Sequence, residues 1–188
     1  MSSIIHVLDE KTANKIAAGE VVERPSSVIK ELTENALDAG ATTVEIEIAD
    51  GGSSYMRVSD NGSGMSEEDA KKSIIRHGTS KISSIEDIFS IPSLGFRGEA
   101  VPSIAAVSEL VMTTRMNDTD LAFRMVLSGG SVKEEEHTGA SVGTTMEVRN
   151  LFFNTPARKK FMKSERTESS KISDIITKLA LTRPDVAF

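Results

Sequence analysis

Residues 25–64 carry the clearest structural pattern in the chain and read PSSVIKELTENALDAGATTVEIEIADGGSSYMRVSDNGSG. Pro25 followed by two serines is typical of the first turn of a helix, and Gly40 is typical of its end. Apolar and polar residues then alternate over 43–48, and a glycine-bearing turn leads to a second alternating segment over 54–59. The stretch therefore predicts a helix followed by a β-hairpin.

The rest of the chain predicts further helices and strands within one domain. Apolar spacing and capping residues predict helices over 11–18 (ended by Gly19), 66–76, 99–107 and 164–182. Strand-like composition covers 108–115, 121–128, 131–137 and 144–150. No repeat or linker divides residues 1–188. This mixture predicts an α+β fold, a two-layer α/β sandwich with helices on one face of a mixed sheet.

The composition excludes several functional classes. The chain has 188 residues, and 22 Lys plus Arg against 28 Asp plus Glu give a net charge of −6, the wrong sign for a uniformly basic nucleic-acid binder. The absence of Cys excludes a disulfide scaffold and a thiolate metal site. Because no apolar run approaches the ~18 residues of a membrane span, we expect no membrane partner and a cytoplasmic location.

Polar residues form a stripe on the predicted helix over 25–39. At about 100° per residue, Glu31, Asn35 and Asp38 fall within about 60° of one another, beside the apolar face. Glu31 could deprotonate a water and Asn35 could offer an oxygen to Mg²⁺, with Asp38 further along the same wall. The alternative is the solvated side of an ordinary amphipathic helix.

Two glycine-bearing segments could bind a ligand. Asp60 ends a predicted strand, and Gly62 and Gly64 would let a flat ligand approach the backbone, although Asp60 could instead hydrogen-bond its own loop. The long segment over 77–98 ends just before a predicted helix, whose free N–H groups favour phosphate. Neither GxxxxGK[ST] nor GxGxxG occurs, which excludes P-loop and Rossmann sites. A basic cluster over 158–166 could touch a phosphate backbone or be a solvated helix start.

The motifs taken in order resemble those of the GHKL ATPases, the family of gyrase B, heat-shock ninety chaperones, histidine kinases and MutL. The series is Glu31-xxx-Asn35-xx-Asp38, Asp60-x-Gly62-x-Gly64, Gly95-Phe96-Arg97-Gly98 and Gly143-Thr144-Thr145. Longer strings are similar to the MutL family of DNA mismatch repair proteins: IAAGEVVERP (16–25), TSKI (79–82), LGFRGEA (94–100) and FNTPAR (153–158). The resemblance covers essentially the whole chain.

The resemblance implies a Bergerat ATP-binding fold that binds ATP with Mg²⁺ and hydrolyses ATP. By resemblance, Glu31 is the general base, Asn35 holds Mg²⁺, and Asp60 accepts the adenine amino group with Thr144 beside it. The other implied nucleotide-binding residues are Asp38, Gly62, Gly64, and a lid around the phosphates made of Thr79, Ser80, Lys81, Leu94, Gly95, Phe96, Arg97, Gly98 and Glu99.

Family members extend further, through a second subdomain that supplies a lysine to the terminal phosphate and then a dimerisation domain. By resemblance we expect residues 1–188 to be a fragment, one GHKL domain of a nucleotide-driven switch. Its implied partners are a mismatch-recognition protein, a downstream nuclease or helicase, DNA, and a second copy when full length and ATP-bound. The alternatives are an ATP-dependent interaction module without useful hydrolysis and another GHKL member such as a histidine kinase.

Overall fold

The structure is a computed structural model that describes residues 18–19, 21–75 and 98–188. Its helices are α1 (Pro25–Asp38), α2 (Glu67–Ser73), α3 (Ala100–Ala106), α4 (Pro156–Phe161) and α5 (Glu165–Thr182). Its strands are β1 (Val44–Ala49), β2 (Tyr55–Asp60), β3 (Glu109–Arg115), β4 (Ala122–Ser128), β5 (Ser131–Thr138) and β6 (Gly143–Arg149). No helix in these ranges is long and apolar enough to cross a membrane.

Helix α1 forms where the sequence predicts it. Pro25 occupies the first turn, where its missing N–H costs nothing, and Gly40 follows the helix end with a φ of +76°. The apolar face of the helix is buried and consists of Val28, Ile29, Leu32 and Ala36. The predicted cap at Ser66 is confirmed, since Ser66 Oγ accepts from Asp69 N, and the structure adds a second serine cap, in which Ser164 Oγ accepts from Thr167 N.

The six strands form one sheet in the order β1-β2-β6-β3-β4-β5. We expected a mixed sheet, whereas every pairing between these strands is antiparallel. The long connection between β2 and β3 does make those two strands run parallel, but β6 lies between them and is antiparallel to both. Within the described ranges, parallel pairing is confined to an isolated bridge between Thr43 and Ala187.

The two-layer arrangement is confirmed. Helices α1 and α3 pack on one face of the sheet, and α5 packs against α1. Side chains on that face are buried: Met56, Val58, Leu110, Met112, Met125, Leu127, Met146 and Val148. The opposite face is polar, as at Arg57, whose guanidinium lies 3.2 Å from Glu45 and 2.7 Å from Glu47. Strands β2, β3, β4 and β6 therefore alternate between a core face and an open face, whereas the edge strand β5 buries none of its residues.

Two predicted helix ends are wrong. Gly19 is helical and Val21 after it is helical too, so the first helix does not stop at the glycine. A Cβ at this position would meet only the guanidinium end of the flexible Arg158 side chain, which can move aside, so packing does not require a glycine here. The helix predicted to end near Arg76 ends at Ser73. Most of the predicted helix over 11–18 lies outside the described residues.

Candidate functional site

Asp60 is the last residue of β2, and the two oxygens of its carboxylate differ in the hydrogen bonds that they accept. Its Oδ1 accepts from Gly62 N at 2.8 Å and from Thr144 N at 3.3 Å. In the described part of the chain, Oδ2 accepts no hydrogen bond. Burial raises the pKa of Asp60, and the two backbone hydrogen bonds oppose that rise. Asp60 therefore does cap its own loop, but with one oxygen only, and the other can accept from a ligand.

The loop over 61–65 is locked to the end of α1. Asn61 Oδ1 accepts from Thr42 N and from Thr43 N, both at 2.9 Å, and Asn61 Nδ2 donates to Thr42 Oγ1 at 2.8 Å. Ser63 N also donates to Ala39 O at 2.9 Å. These bonds fix Asp60 relative to the helix that carries Glu31. No local sequence pattern indicates this role of Asn61, since its partners lie 18 and 19 residues away.

Three glycines allow the backbone to approach itself closely around Asp60. Gly64 has a φ of +67°, and a Cβ there would overlap the carbonyl of Arg115. Gly143 has a φ of +117°, and a Cβ there would overlap the carbonyl of Asp60. A Cβ at Gly62 would lie 2.8 Å from the carbonyl oxygen of Ala39. The glycines are therefore needed for the loop to close on β3, β6 and α1.

A Gly64→Ala variant should unfold at lower temperature and lower denaturant concentration than a Gly40→Ala control. Both positions have positive φ, at +67° and +76°, but a Cβ at Gly40 meets nothing within 4 Å. The control should lose about 1–2 kcal/mol from backbone strain, and Gly64→Ala should lose about 1–3 kcal/mol more from overlap. Urea unfolding measures both, and equal losses would contradict the packing argument.

Glu31, Asn35 and Asp38 lie on α1 as the helical wheel predicts, at the border of its buried face. The Glu31 side chain is 24% exposed. Asn35 is half-buried, and its side-chain amide has no hydrogen-bond partner in the described part of the chain. Asp38 is exposed near the helix end, where its charge helps to raise the pKa of Arg183 after the larger effect of the Asp185 hydrogen bond. Asn35 thus offers an amide oxygen, while Asp38 lies further towards solvent.

Glu34 was missed by the sequence analysis. It is only 5% exposed, and its Oε2 lies 2.9 Å from the Nζ of Lys30, which is also 3.4 Å from Glu31 Oε1. Burial lowers the pKa of Lys30, but the Glu34 hydrogen bond and the two negative charges outweigh it, so the pKa is raised. Lys30 therefore balances the negative charge that the two glutamates place on one helix face.

The predicted phosphate-binding segment is described only at its end. Gly98 has a φ of +60°, and Glu99 precedes α3, with its carbonyl accepting from Ser103 N at 3.0 Å. The other predicted positions lie outside the described residues: Thr79, Ser80, Lys81, Leu94, Gly95, Phe96 and Arg97. Among the described residues, no group of three or more His, Cys, Asp or Glu could hold a metal ion.

The basic cluster begins on α4, which buries none of its side chains. Lys159 and Lys160 are exposed, in agreement with the solvated alternative, whereas Arg158 lies against Gly19. Arg158 thus has a packing role that its neighbours do not share. Contact between this cluster and a phosphate backbone stays a prediction.

Comparison with known proteins places this geometry in a family. Residues 23–145 match the family described as histidine kinase-, DNA gyrase B-, and HSP90-like ATPase. The matched region includes α1, the Asp60 loop and Thr144. It therefore covers Glu31, Asn35, Asp60 and Thr144.

Curated relatives and solved structures agree with this match. The chain is 55% identical to the DNA mismatch repair protein MutL of Desulforamulus reducens over 99% of this chain and 29% of that protein. It is 51% identical to MutL of Caldanaerobacter subterraneus over 98% of this chain and 31% of that protein. The ADP complex of the Aquifex aeolicus MutL ATPase domain aligns with a TM-score of 0.70 and 36% identity over 88% of this chain and 58% of that chain. The chain thus spans under a third of the length of these curated relatives.

Proposed function

The chain belongs to the histidine kinase-, DNA gyrase B-, and HSP90-like ATPase family, and we propose that it binds and hydrolyses ATP as part of a mismatch repair protein of the MutL type. One observation carries the proposal. The Asp60 loop is hydrogen-bonded to the segment that follows α1, and this supports a site in which Asp60 would accept from a base beside the helix that bears Glu31 and Asn35.

Adenine recognition follows from the chemistry of the Asp60 carboxylate. Oδ1 is engaged by the loop, so Oδ2 would accept from the exocyclic amino group of adenine. Gly62 and Gly64 leave no side chain over the loop, which suits a flat ring. Guanine carries a carbonyl oxygen where adenine carries the amino group. Because two acceptors facing each other repel, GTP should bind poorly.

Hydrolysis is assigned to Glu31 and Asn35. The Glu31 carboxylate would take a proton from a water, whose oxygen forms a bond to the terminal phosphorus as the bond between that phosphorus and the ADP oxygen breaks. The amide oxygen of Asn35 would bind Mg²⁺, which neutralises phosphate charge when bound. From the resemblance we also propose that residues 79–81 and 94–99 contact the phosphates. We propose that Asp38, about one turn further along α1, lines the same side of the nucleotide site.

An Asn35→Ala variant should lose most of the gain in ATP affinity that Mg²⁺ provides. The loss should be about tenfold or more, because a contact to a charged group contributes about 1.5–3 kcal/mol. Asn35→Asp, which keeps an oxygen at the position, is the matched control and should retain the gain. Titration calorimetry with and without Mg²⁺ measures the effect. An unchanged gain in Asn35→Ala would remove this residue from the metal site.

For the longer protein we propose a nucleotide-driven switch that acts on DNA in the cytoplasm. The supporting fact is that the curated relatives are DNA mismatch repair proteins that extend well past the matched region. On this basis the partners would be a mismatch-recognition protein, a downstream nuclease or helicase, and a second copy in the ATP-bound state.

The deciding experiment is a nucleotide titration of this chain together with phosphate release from a chain extended to the length of its relatives. ATP binding with phosphate release is the expected result. ATP binding without release in the extended chain would favour the interaction module. Transfer of the phosphate to a protein histidine would identify a kinase, and no binding of ATP would overturn the proposal.

A further inference from the structure

The Lys30 ammonium lies between two glutamates of α1 and is closer to one of them. Its Nζ is 2.9 Å from Glu34 Oε2 and 3.4 Å from Glu31 Oε1. A strong hydrogen bond from an ammonium to a carboxylate is about 2.7–2.9 Å long, so only the contact with Glu34 is of this kind. In the described part of the chain, Glu31 Oε2 accepts no hydrogen bond. Lys30 therefore binds Glu34 closely and the proposed general base only loosely.

The difference in burial between the two glutamates accounts for this preference. Glu34 is almost completely buried, whereas the Glu31 side chain is 24% exposed. Because a charge that is removed from water needs a partner more, the buried carboxylate has the stronger claim on the cation. Lysine four residues before glutamate is the less favourable order for stabilising a helix, so helix stability alone gives little reason for this pair.

The position of the Lys30 ammonium affects how well Glu31 could act as a general base. A general base takes the proton of the attacking water onto its carboxylate. A cation bonded to that carboxylate stabilises its negative charge and so weakens it as a proton acceptor. The lysine stem is flexible, and its Nζ already lies 3.4 Å from Glu31 Oε1. Loss of the Glu34 charge would therefore let Lys30 close on Glu31.

We propose that Glu34 is a positioning residue for hydrolysis, which keeps the Lys30 ammonium away from the Glu31 carboxylate. The inference rests on the proposed function, because it concerns the same general base. Glu34 acts through Lys30 and not on the reacting atoms. Its effect therefore falls on kcat and not on ATP affinity, and it requires the lysine to be present.

The test measures phosphate release by three variants of a chain extended to the length of its relatives: Glu34→Gln, Lys30→Met and Lys30→Met/Glu34→Gln. Glu34→Gln keeps the shape of the side chain but removes its charge, so kcat should fall about 3- to 30-fold. The Kd for ATP should be unchanged with and without Mg²⁺, which separates this effect from a disturbance of Asn35. The double variant has no ammonium to close on Glu31 and should regain most of the lost rate.

Two further variants complete the comparison. Lys30→Met alone should have a kcat at or above that of the parent, because Glu31 loses its loose contact with the ammonium. Glu68→Gln is the matched control, because it removes a glutamate charge from another pair four residues apart, in which Glu68 Oε1 lies 2.6 Å from Lys72 Nζ on α2. This control should release phosphate at the parent rate, and a fall as large as that of Glu34→Gln would contradict the inference.

Parent-like kcat in folded Glu34→Gln, or a double variant as slow as Glu34→Gln, overturns the inference and leaves the ATPase proposal standing. If Glu34→Gln does not fold, Lys30→Met decides: a kcat at or above that of the parent supports the inference, and a lower kcat overturns it. Failure of the extended parent to release phosphate, or unchanged release by its Glu31→Ala variant, overturns the proposed role of Glu31, and the inference falls with it.

Discussion

An Asp60→Ala variant is expected to lose adenine nucleotide binding. The carboxylate would accept a charge-assisted hydrogen bond from the adenine amino group, which contributes about 1.5–3 kcal/mol, and so at least a tenfold change in Kd. The loss should be larger than this, because Oδ1 also holds the loop through Gly62 N and Thr144 N. Titration calorimetry with ATP measures the effect.

A second variant, Asp60→Asn, tests the base contact separately from the loop contacts. The amide oxygen can keep the bonds that Oδ1 accepts, while the amide nitrogen replaces Oδ2 with a donor. This variant should fold like the parent, fail to bind ATP and gain affinity for GTP, whose carbonyl can accept. ATP affinity equal to the parent would exclude Asp60 from the site.

The pH dependence of binding provides an independent check. Burial raises the pKa of Asp60, although hydrogen bonds from Gly62 N and Thr144 N oppose the rise. Only the ionised carboxylate has both oxygens as acceptors, so ATP affinity should fall on acidification. The fall should begin above the pH range of an exposed aspartate. A parent affinity that is flat down to that range would contradict this assignment.

A Glu31→Ala variant should leave ATP bound and stop hydrolysis. A general base contributes about 10²–10⁴-fold to rate and little to ground-state binding. Binding is measured on this chain, and phosphate release on a chain extended to the length of its relatives. Glu23→Ala is a suitable control, because Glu23 is a glutamate with a 73% exposed side chain just before α1. If the extended Glu31→Ala protein releases phosphate at the parent rate, another group is the base.

Short-range signals in the sequence determined most of the secondary structure. Helix α1, the β1-β2 hairpin, the cap at Ser66 and the closing helix α5 form where they were predicted. Each signal acts within a few residues, through proline geometry, apolar periodicity or a side chain that bonds its own helix. The alternating burial along β2, β3, β4 and β6 likewise follows from the side-chain period of two.

Tertiary structure decided the pairing of the strands and the surroundings of Gly19. No local signal shows that β6 enters between β2 and β3, and this insertion separates two strands that run parallel and pairs each of them antiparallel with β6. Gly19 reads locally as a helix stop, but it is helical and lies against the guanidinium of Arg158, which is 139 positions away in the chain. Such contacts depend on the assembled fold and have no sequence period.

The candidate site likewise has features that the sequence indicated and features that only the tertiary structure showed. From residue type and spacing, Glu31, Asn35 and Asp60 were candidates beside the alternatives of a solvated helix face and a self-capping loop, and the resemblance to the GHKL ATPases implied their roles, which stay predictions. Only the tertiary structure showed that Asn61 locks the loop to α1 and that Thr114 joins Met65 to Thr144. These hydrogen bonds connect atoms 18 to 49 residues apart, and strand register and loop closure bring them within reach.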